Sequence, residues 1–293
     1  MQPTNIRLGV QHALTAAMGF AIMGALIKLA AEELSIPMVT FLRNAFGLLF
    51  LLPLLLRQPL RQLQTQRLGL HLLRTVVGLV AMYSFFFAIA HIPLAQAMLL
   101  NYAAPLYVPI IAWLWLREQP HWGIWPLILL GLVGVALIIG PGQDQDAVAG
   151  PPWVGAVAVM AGVFAGWAFV TIRKLSSTEP APRIVFWFST FSVGLTAFPA
   201  MLQWQMPSPK AWLLMLGTGL FATIAQISLT RSYALIPAAQ VAPLNYLVVV
   251  FAMLLGWLIW AESPSPWALV GTFLVIGSSV VALRLKSRLP TPT

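Results

Sequence analysis

The sequence predicts an all-α integral membrane protein whose ten transmembrane helices form two inverted five-helix repeats. Three observations support this prediction. Hydrophobic residues make up 60% of the 293 residues and charged residues only 8%, with a mean hydropathy of +0.87. A water-soluble domain cannot bury that much apolar surface. The chain also divides into ten apolar runs, and one stretch of it occurs twice, 144 residues apart.

Each apolar run is long enough to cross a bilayer, which takes about 20 residues of helix. The connections are short, so they leave no room for a soluble domain. The predicted spans are residues 11–31, 37–56, 68–90, 93–116, 122–140, 153–174, 185–202, 211–235, 237–260 and 266–283.

The repeated stretch is residues 92–120, which align without a gap on residues 236–264. Eleven of the 29 positions are identical, and they include Gln, Asn, Tyr and Glu, which two leucine-rich helices do not share by chance. The chain is therefore interpreted as a duplication, with residues 1–146 and 147–293 as the two copies. Five helices in each copy place the second copy upside down in the membrane, an architecture typical of secondary transporters.

The basic residues lie singly or in pairs at the ends of apolar runs, a pattern that sets orientation. The net charge of +9 therefore does not predict a nucleic-acid partner. Both termini are predicted to be cytoplasmic, because nearly all bases then fall on that side. These cytoplasmic bases are Arg7, Arg57, Arg61, Arg67, Arg74, Arg117, Arg173, Lys174, Arg183, Arg284, Lys286 and Arg288.

Several residues resemble those of a known family. An arginine lies inside the second helix, in Phe41-Leu42-Arg43, Arg74 opens the third helix, and Glu118 follows a Trp-Leu pair at the end of the fourth. The whole chain resembles the drug/metabolite transporter superfamily, specifically its EamA type. The resemblance implies two EamA-like repeats in a bacterial inner-membrane carrier, often an exporter of amino acids or other small metabolites, that works by alternating access.

Polar residues inside the spans are the candidate substrate contacts, because a buried amide or base in hydrocarbon needs a partner or a wet cavity. Six of them recur at matched positions in helices four and nine. Steps of five and six residues point them to different sides of a helix, so some face a cavity and others hold helices together. The predicted contacts are Lys28, Arg74, Tyr83, Gln96, Asn101, Tyr102, Gln240, Asn245 and Tyr246.

The charges inside the spans are all positive, since no Asp or Glu lies well inside any apolar run. Lys28, Arg43, Arg74 and Arg231 lie within or at the ends of the apolar runs, and Lys28 or Arg74 is expected to supply the positive charge for a substrate that carries a carboxylate. The alternative, a broad-specificity exporter of amphipathic drugs, would favour an aromatic cavity with an acidic residue. The lack of an intramembrane carboxylate favours facilitated diffusion or exchange over proton coupling. Glu118 and Glu262 are expected to pair with bases or to cap neighbouring helices.

Prolines inside four spans mark candidate hinges. A proline has no N–H, so the carbonyl four residues earlier loses its helical donor and meets a side chain, water or ligand instead. A static kink is the alternative at each position. The candidate hinges are Pro53, Pro105, Pro199 and Pro243, and a kink is expected beside Asn101.

The sequence as a whole predicts a transporter. It has no Cys, no His pair at ligand spacing and no buried carboxylate pair, so neither an enzyme, a cofactor nor a metal site is predicted. The expected partners are a small-molecule metabolite and the lipid bilayer. The protein is expected to be an exporter or facilitator, as a monomer or homodimer.

Overall fold

The computed structural model describes residues 5–56, 63–91, 101–139, 152–261 and 263–285, and these ranges hold helices and short connections without a β-strand. The first eight helices are α1 Ile6–Ala30, α2 Ile36–Leu56, α3 Leu68–His91, α4 Ala104–Leu116, α5 Ile124–Ile139, α6 Pro152–Leu175, α7 Ala181–Leu202 and α8 Pro209–Leu235. The ninth, α9 Ala238–Trp260, comes in three pieces, and the last is α10 Pro266–Arg284.

Eight of these helices are long and apolar enough to cross a membrane, and α4 and α5 are shorter apolar helices. Large apolar side chains such as Leu258 and Phe273 lie on the outside of the bundle. This is the distribution expected where the solvent is lipid. The chain is therefore an all-helical, multi-pass membrane protein. The predicted fourth span begins at residue 93, and its residues 93–100 lie outside the described ranges.

The ninth span is not the continuous α-helix that the apolar run suggested. An α-helical turn, Ala238–Val241, leads into a 3₁₀ segment, Ala242–Tyr246, before the α-helix resumes at Leu247. Pro243 lies in this segment and supplies no N–H, while Ser279 of α10 donates a hydrogen bond to its carbonyl, with Oγ and O 3.0 Å apart. A side chain on another helix thus takes part in satisfying the broken backbone.

The fourth span breaks at the matching place. The backbone turns at residues 102–103, and α4 starts at Ala104 with Pro105 in its first turn. The kink expected beside Asn101 is therefore a break. Ala104 corresponds to Val248, 144 residues later, one residue into the resumed helix of α9. Both helices carry this interruption at equivalent positions.

The same two helices also end alike. Arg117 and Ala261 follow α4 and α9, and both have a left-handed backbone with φ of 56°. Their N–H groups bond to the carbonyls of Ala112 and Gly256, which closes each helix with a left-handed cap. Each residue of the first cap lies 144 positions before its counterpart.

Helix packing has a reciprocal pattern. Helix α1 packs on α8, and α3 packs on α6; α4 packs on α6, and α9 packs on α1; α2 faces α7, and α5 faces α10. The α5–α10 crossing is close because Gly134 and Gly271 meet there. A Cβ on Gly134 would lie only 2.7 Å from the carbonyl oxygen of Gly271, so the backbones approach as small residues allow.

Candidate functional site

The two ends of the bundle have different polar contacts. We name each end by whether α1 begins or finishes there. The N-face is the end at which α1, α3, α5, α7 and α9 begin. The opposite face is the end at which they finish.

On the N-face, Glu118 joins four helices. Its Oε1 accepts a hydrogen bond from Nε of Arg173 at 2.7 Å, and its Oε2 accepts one from the backbone N–H of Ala238 at 3.1 Å. Nη1 of Arg173 donates in turn to the carbonyl of Tyr233 at 2.7 Å. Glu118 thus does both things expected of it: it pairs with a base and caps a neighbouring helix. The ends of α4, α6 and α8 and the start of α9 are held together here.

A second glutamate on the N-face, Glu179, connects the two halves of the sequence. It lies between α6 and α7 and accepts hydrogen bonds from Thr65 Oγ1 at 2.6 Å and from Arg183 Nη1 at 2.9 Å. Nε2 of the buried His71 lies 3.8 Å from the same carboxylate. Thr65 precedes α3 in the first half, whereas Glu179 belongs to the second.

Glu33 makes the corresponding link on the opposite face. It lies between α1 and α2 and accepts hydrogen bonds from the backbone N–H and the hydroxyl of Ser208, both at 2.6 Å. These two bonds, with a smaller contribution from nearby Lys210, lower the pKa of the Glu33 carboxyl below its usual range, although desolvation opposes the shift. A first-half glutamate thus bonds to a second-half hydroxyl, the reverse of Glu179 and Thr65.

Two buried arginines lie side by side between these faces. Arg74 is 5% exposed; its guanidinium carbon lies 4.0 Å from the ring centre of Phe188, and its Nη2 donates to Oε1 of Gln226 at 3.4 Å. Arg43 is 9% exposed and lines a small cavity together with Phe188 and Gln226. Its Nη1 donates to Oδ1 of Asn44 at 2.9 Å. Helices α2, α3, α7 and α8 meet at this pair.

Lys28, the other predicted cation, lies elsewhere. It is exposed near the end of α1 on the opposite face, with its ammonium nitrogen 4.2 Å from the ring centre of Trp260. The contact is a cation–π interaction between α1 and the end of α9. The structure therefore separates Lys28 from Arg74 and brings Arg43 to Arg74 instead.

The matched amides and tyrosines of the fourth and ninth helices differ in their surroundings. Those of the ninth helix contact three different helices or helix ends. Asn245 is half-buried, and its Nδ2 donates to the hydroxyl of Tyr233 on α8 at 3.0 Å. Tyr246 is fully buried and packs against α5, where a Cβ on Gly131 would lie 2.7 Å from its ring. Gln240 lies in the first turn of α9 and donates to the carbonyl of Leu285 after α10, on the N-face.

Their partners in the first half are described in part. Asn101 is half-buried just before the break that precedes α4. Tyr102 packs against the same apolar cluster as Tyr246, which α5 and α10 complete. Gln96 lies outside the described residues.

Tyr83 lies on the opposite face, away from the arginine pair. It lines an open cavity of about 580 Å³ between the ends of α2, α3 and α6, together with Phe87 and Trp153. Within the described part of the chain no group bonds to its buried hydroxyl. The lining is largely aromatic and aliphatic.

The four candidate hinges fall into two pairs. Helix α2 continues through Pro53 and α7 through Pro199, so neither proline ends its helix. Pro105 and Pro243 instead lie where α4 begins and where α9 is broken. The second pair is where the backbone departs from α-helical geometry.

Comparison with known proteins decides the family. The sequence model of the EamA-like transporter family matches residues 7–140 and 153–284. The chain belongs to this family. Its members are transporters, so the protein is a transporter and not an enzyme. The identification made from the arginines and the Trp-Leu…Glu pattern is confirmed.

Two related transporters match nearly the whole chain. The pseudopaline exporter CntI of Pseudomonas aeruginosa (strain UCBPP-PA14) is 32% identical over 283 residues, 96% of this chain and 98% of the relative. The riboflavin transporter of Vibrio cholerae is 29% identical, with 92% of this chain and 90% of the relative covered. A solved crystal structure with 18% identity shares the fold, with a TM-score of 0.81 over 94% of this chain and 96% of that one. The protein is accordingly a membrane transporter of small metabolites.

Arg43 is the residue that sequence reasoning left out of the candidate site. A signal was present, because Arg43 and Asn44 interrupt an apolar run of α2 about one-third of the way along it. A base at that depth is costly and marks a functional position. The sequence did not show that Arg43 and Arg74 are neighbours, because they lie on different helices.

Proposed function

We propose that the protein is a secondary carrier built from two inverted repeats, residues 1–146 and 147–293. The reciprocal links carry this proposal: Glu179 bonds to Thr65 on the N-face, and Glu33 bonds to Ser208 on the opposite face. An in-plane two-fold axis that exchanges the halves would exchange these two links. The matched helix breaks, the matched left-handed caps and the reciprocal packing of helices support the same relation.

Alternating access follows from such a symmetry. Two copies of one fold, packed in opposite directions, give the bundle two similar conformations that open to opposite sides. The N-face is held closed in this structure, because Glu118 and Arg173 link α4, α6, α8 and α9. Carrying a substrate through would require this link to break while the opposite face closes. Pro53, Pro105, Pro199 and Pro243 are the proposed hinges, with the two broken helices as the main ones.

The proposed substrates are amino acids or related metabolites that carry a carboxylate. All seven acidic residues lie outside the ten predicted spans, whereas Arg43 and Arg74 are buried within α2 and α3. A substrate carboxylate supplies the missing negative charge. The relatives include one protein named as an exporter and one named as an uptake transporter, so we propose an exporter or facilitator whose direction follows the gradients.

The predicted contact residues take different parts in this proposal. Asn101, Asn245 and Arg74 belong to the central cavity between the repeats, with Gln96 and Tyr102 beside Asn101. Tyr83 belongs to the entrance on the opposite face, and Lys28 to its rim. Gln240 and Tyr246 support the ninth helix, through Leu285 and through Gly131.

The relatives are bacterial, and the basic residues concentrate on the N-face, so we propose the bacterial inner membrane with both termini in the cytoplasm. A broad-specificity exporter of amphipathic drugs is the second candidate function. The aromatic lining of the cavity that Tyr83 shares with Phe87 and Trp153 favours it.

An uptake screen in liposomes tests the proposal. Purified protein is reconstituted and offered labelled amino acids, organic acids and cationic dyes in parallel, with protein-free liposomes as the control. We expect saturable uptake of one or more carboxylate-bearing compounds. Saturable uptake of the dyes alone would support the drug exporter, and no saturable uptake of any acid would contradict the proposed substrate class.

A further inference from the structure

In the part of the chain that the structure describes, the region around Arg43 and Arg74 has two positive charges and no negative one. Both guanidinium groups are buried and share Phe188 and Gln226 as neighbours. Among the described residues, neither arginine takes part in an ion pair. Their hydrogen-bond acceptors are neutral: Oδ1 of Asn44 and Sδ of Met23 for Arg43, and Oε1 of Gln226 for Arg74.

Such an arrangement is costly for a site that only holds helices together. A buried charge is expensive unless it is paired, and a second charge of the same sign adds repulsion. A structural role would be served as well by apolar side chains of similar volume. The cost is explained if an anion enters the site during the working cycle.

The donors of Arg74 are partly unused. Nη2 faces Gln226, whereas Nε has no acceptor within the described part of the chain. An arginine offers its N–H groups as a planar fork that matches the two oxygens of a carboxylate. Gly78, one turn further along α3, leaves the space that the guanidinium of Arg74 occupies, because a Cβ there would collide with Nη1.

We propose that the carboxylate of the transported metabolite binds between Arg43 and Arg74. We call this place the anion seat, formed by Arg43, Asn44, Arg74, Ser189 and Gln226. The inference rests on the proposed function and deepens it, because it assigns the positive charge to Arg43 and Arg74 and not to Lys28.

The size of the seat limits what enters it. The cavity beside Arg43 and Gln226 has a volume of about 10 Å³, which is room for roughly one water molecule. A carboxylate is larger than one water molecule, so the seat must widen in the working cycle to admit even this group, and the body of the substrate stays outside it. The seat is therefore selective for the anionic group and tolerates variation in the rest of the substrate.

Anion-dependent thermal stability tests the seat without knowledge of the substrate. The apparent melting temperature of the detergent-purified protein is followed against sodium acetate, with acetamide as an uncharged probe of the same shape and sodium chloride as an inorganic anion. A bulky sulfonate salt keeps the ionic strength constant. The variants are Arg43→Gln, Arg74→Gln and the control Lys174→Gln, which removes a positive charge that lies over Trp115 instead.

Acetate is expected to raise the melting temperature of the wild type and of Lys174→Gln by several degrees, saturably, and acetamide is expected to have no effect. The acetate response should disappear in Arg43→Gln and Arg74→Gln. A full response in either arginine variant, or none in the wild type, would overturn the seat. A response to chloride without one to acetate would overturn the assignment to a carboxylate.

Variants that keep the charge cover the case in which a glutamine variant does not fold. Arg43→Lys and Arg74→Lys retain a cation but lose the planar fork, so the acetate concentration for half the shift should rise about tenfold. Half-saturation equal to that of the wild type in both lysine variants would contradict the seat.

Transport separates this inference from the proposed function. If the wild type carries a carboxylate-bearing metabolite in liposomes, Arg43→Gln and Arg74→Gln should lose at least nine-tenths of the rate that Lys174→Gln keeps. Equal rates in all three variants would reject the seat and leave the carrier intact. Acetate binding at the seat without saturable uptake of any acid by the wild type would reject the proposed function and leave the seat intact.

Discussion

Oε1 of Glu118 lies 2.7 Å from Nε of Arg173, and the other oxygen of the same carboxylate receives the N–H of Ala238. Both side chains are largely buried, so the pair is shielded from water. A charge-assisted hydrogen bond of this kind contributes about 1.5–3 kcal/mol. One side chain therefore holds four helix ends together on the N-face, and its loss should favour opening on that side.

Replacing Glu118 by alanine should loosen the N-face. The chain has no cysteine, so a single introduced thiol reports accessibility without background. Ser232, fully buried on α8 beside the carbonyl that Arg173 binds, is the reporter position. In Ser232→Cys, labelling by a membrane-impermeant maleimide should be slow, and adding Glu118→Ala should accelerate it about tenfold or more, as the lost bond implies.

The exposed Ser177 on the same face provides the control. Ser177→Cys should label quickly with or without Glu118→Ala. Slow labelling of the thiol at position 232 in both backgrounds would show that the pair does not hold the N-face closed.

Glu33 predicts a dependence of stability on pH. Because the hydrogen bonds from Ser208 lower the pKa of this carboxyl in the folded protein, folding favours its ionised form. The contribution is complete above the unfolded value of about 4.3 and is lost as the pH falls through the lower folded value. Acidification from pH 6 to below 4 should therefore lower the apparent melting temperature more in the wild type than in Glu33→Gln.

Glu32, the neighbouring exposed glutamate, is the matched comparison. Glu32→Gln should keep the acid sensitivity of the wild type. If Glu33→Gln and Glu32→Gln have the same pH profile, the bonds to Ser208 do not contribute to stability in solution.

Asn245 should matter more for transport than for stability. Its amide bonds to the hydroxyl of Tyr233, and Tyr233→Phe removes that bond while keeping the amide. If the amide contacts substrate, Asn245→Ala should reduce the liposome uptake rate about tenfold or more with a small change in melting temperature, whereas Tyr233→Phe should retain most of the rate. A cavity-facing amide is hydrated when the site is empty, so its removal costs little stability. Equal effects of both variants would identify the bond as structural.

The orientation of the chain is a separate prediction. A reporter that is active only in the cytoplasm, fused after Thr293, should give signal because the bases lie mainly on the N-face. Activity from a reporter that works only in the periplasm would reverse the orientation.

The helical architecture was predictable because apolar runs of membrane length have few other solutions. The all-helical membrane fold and the family are confirmed. The 3₁₀ segment at Ala242–Tyr246 was less predictable from the sequence than the helices were. Pro243 indicated an irregularity in the helix. Whether the backbone forms a kink or a 3₁₀ segment also depends on Ser279 of α10, which contacts Pro243 only in the folded bundle.

Contacts between residues that are far apart in the sequence explain why the surroundings of the site residues could not be predicted. Lys28 and Arg74 look alike in the sequence, since both are bases within apolar runs, but their surroundings differ. Lys28 lies exposed over Trp260, and Arg74 lies buried beside Phe188. Gln240 similarly bonds to Leu285, 45 positions away. Periodicity along one helix does not contain these distances between helices.

Accelerated exchange in liposomes tests whether the protein is a carrier that alternates around a site for carboxylate-bearing metabolites. Liposomes are loaded with an unlabelled acid identified by the uptake screen, and a trace of the labelled acid is added outside. Such a carrier should give a transient accumulation of label above equilibrium, faster than in empty liposomes and absent in Arg74→Gln. Entry of label at a rate that is independent of the internal acid would contradict the carrier, and exchange that is equally fast in Arg74→Gln would reject the place of Arg74 in its site.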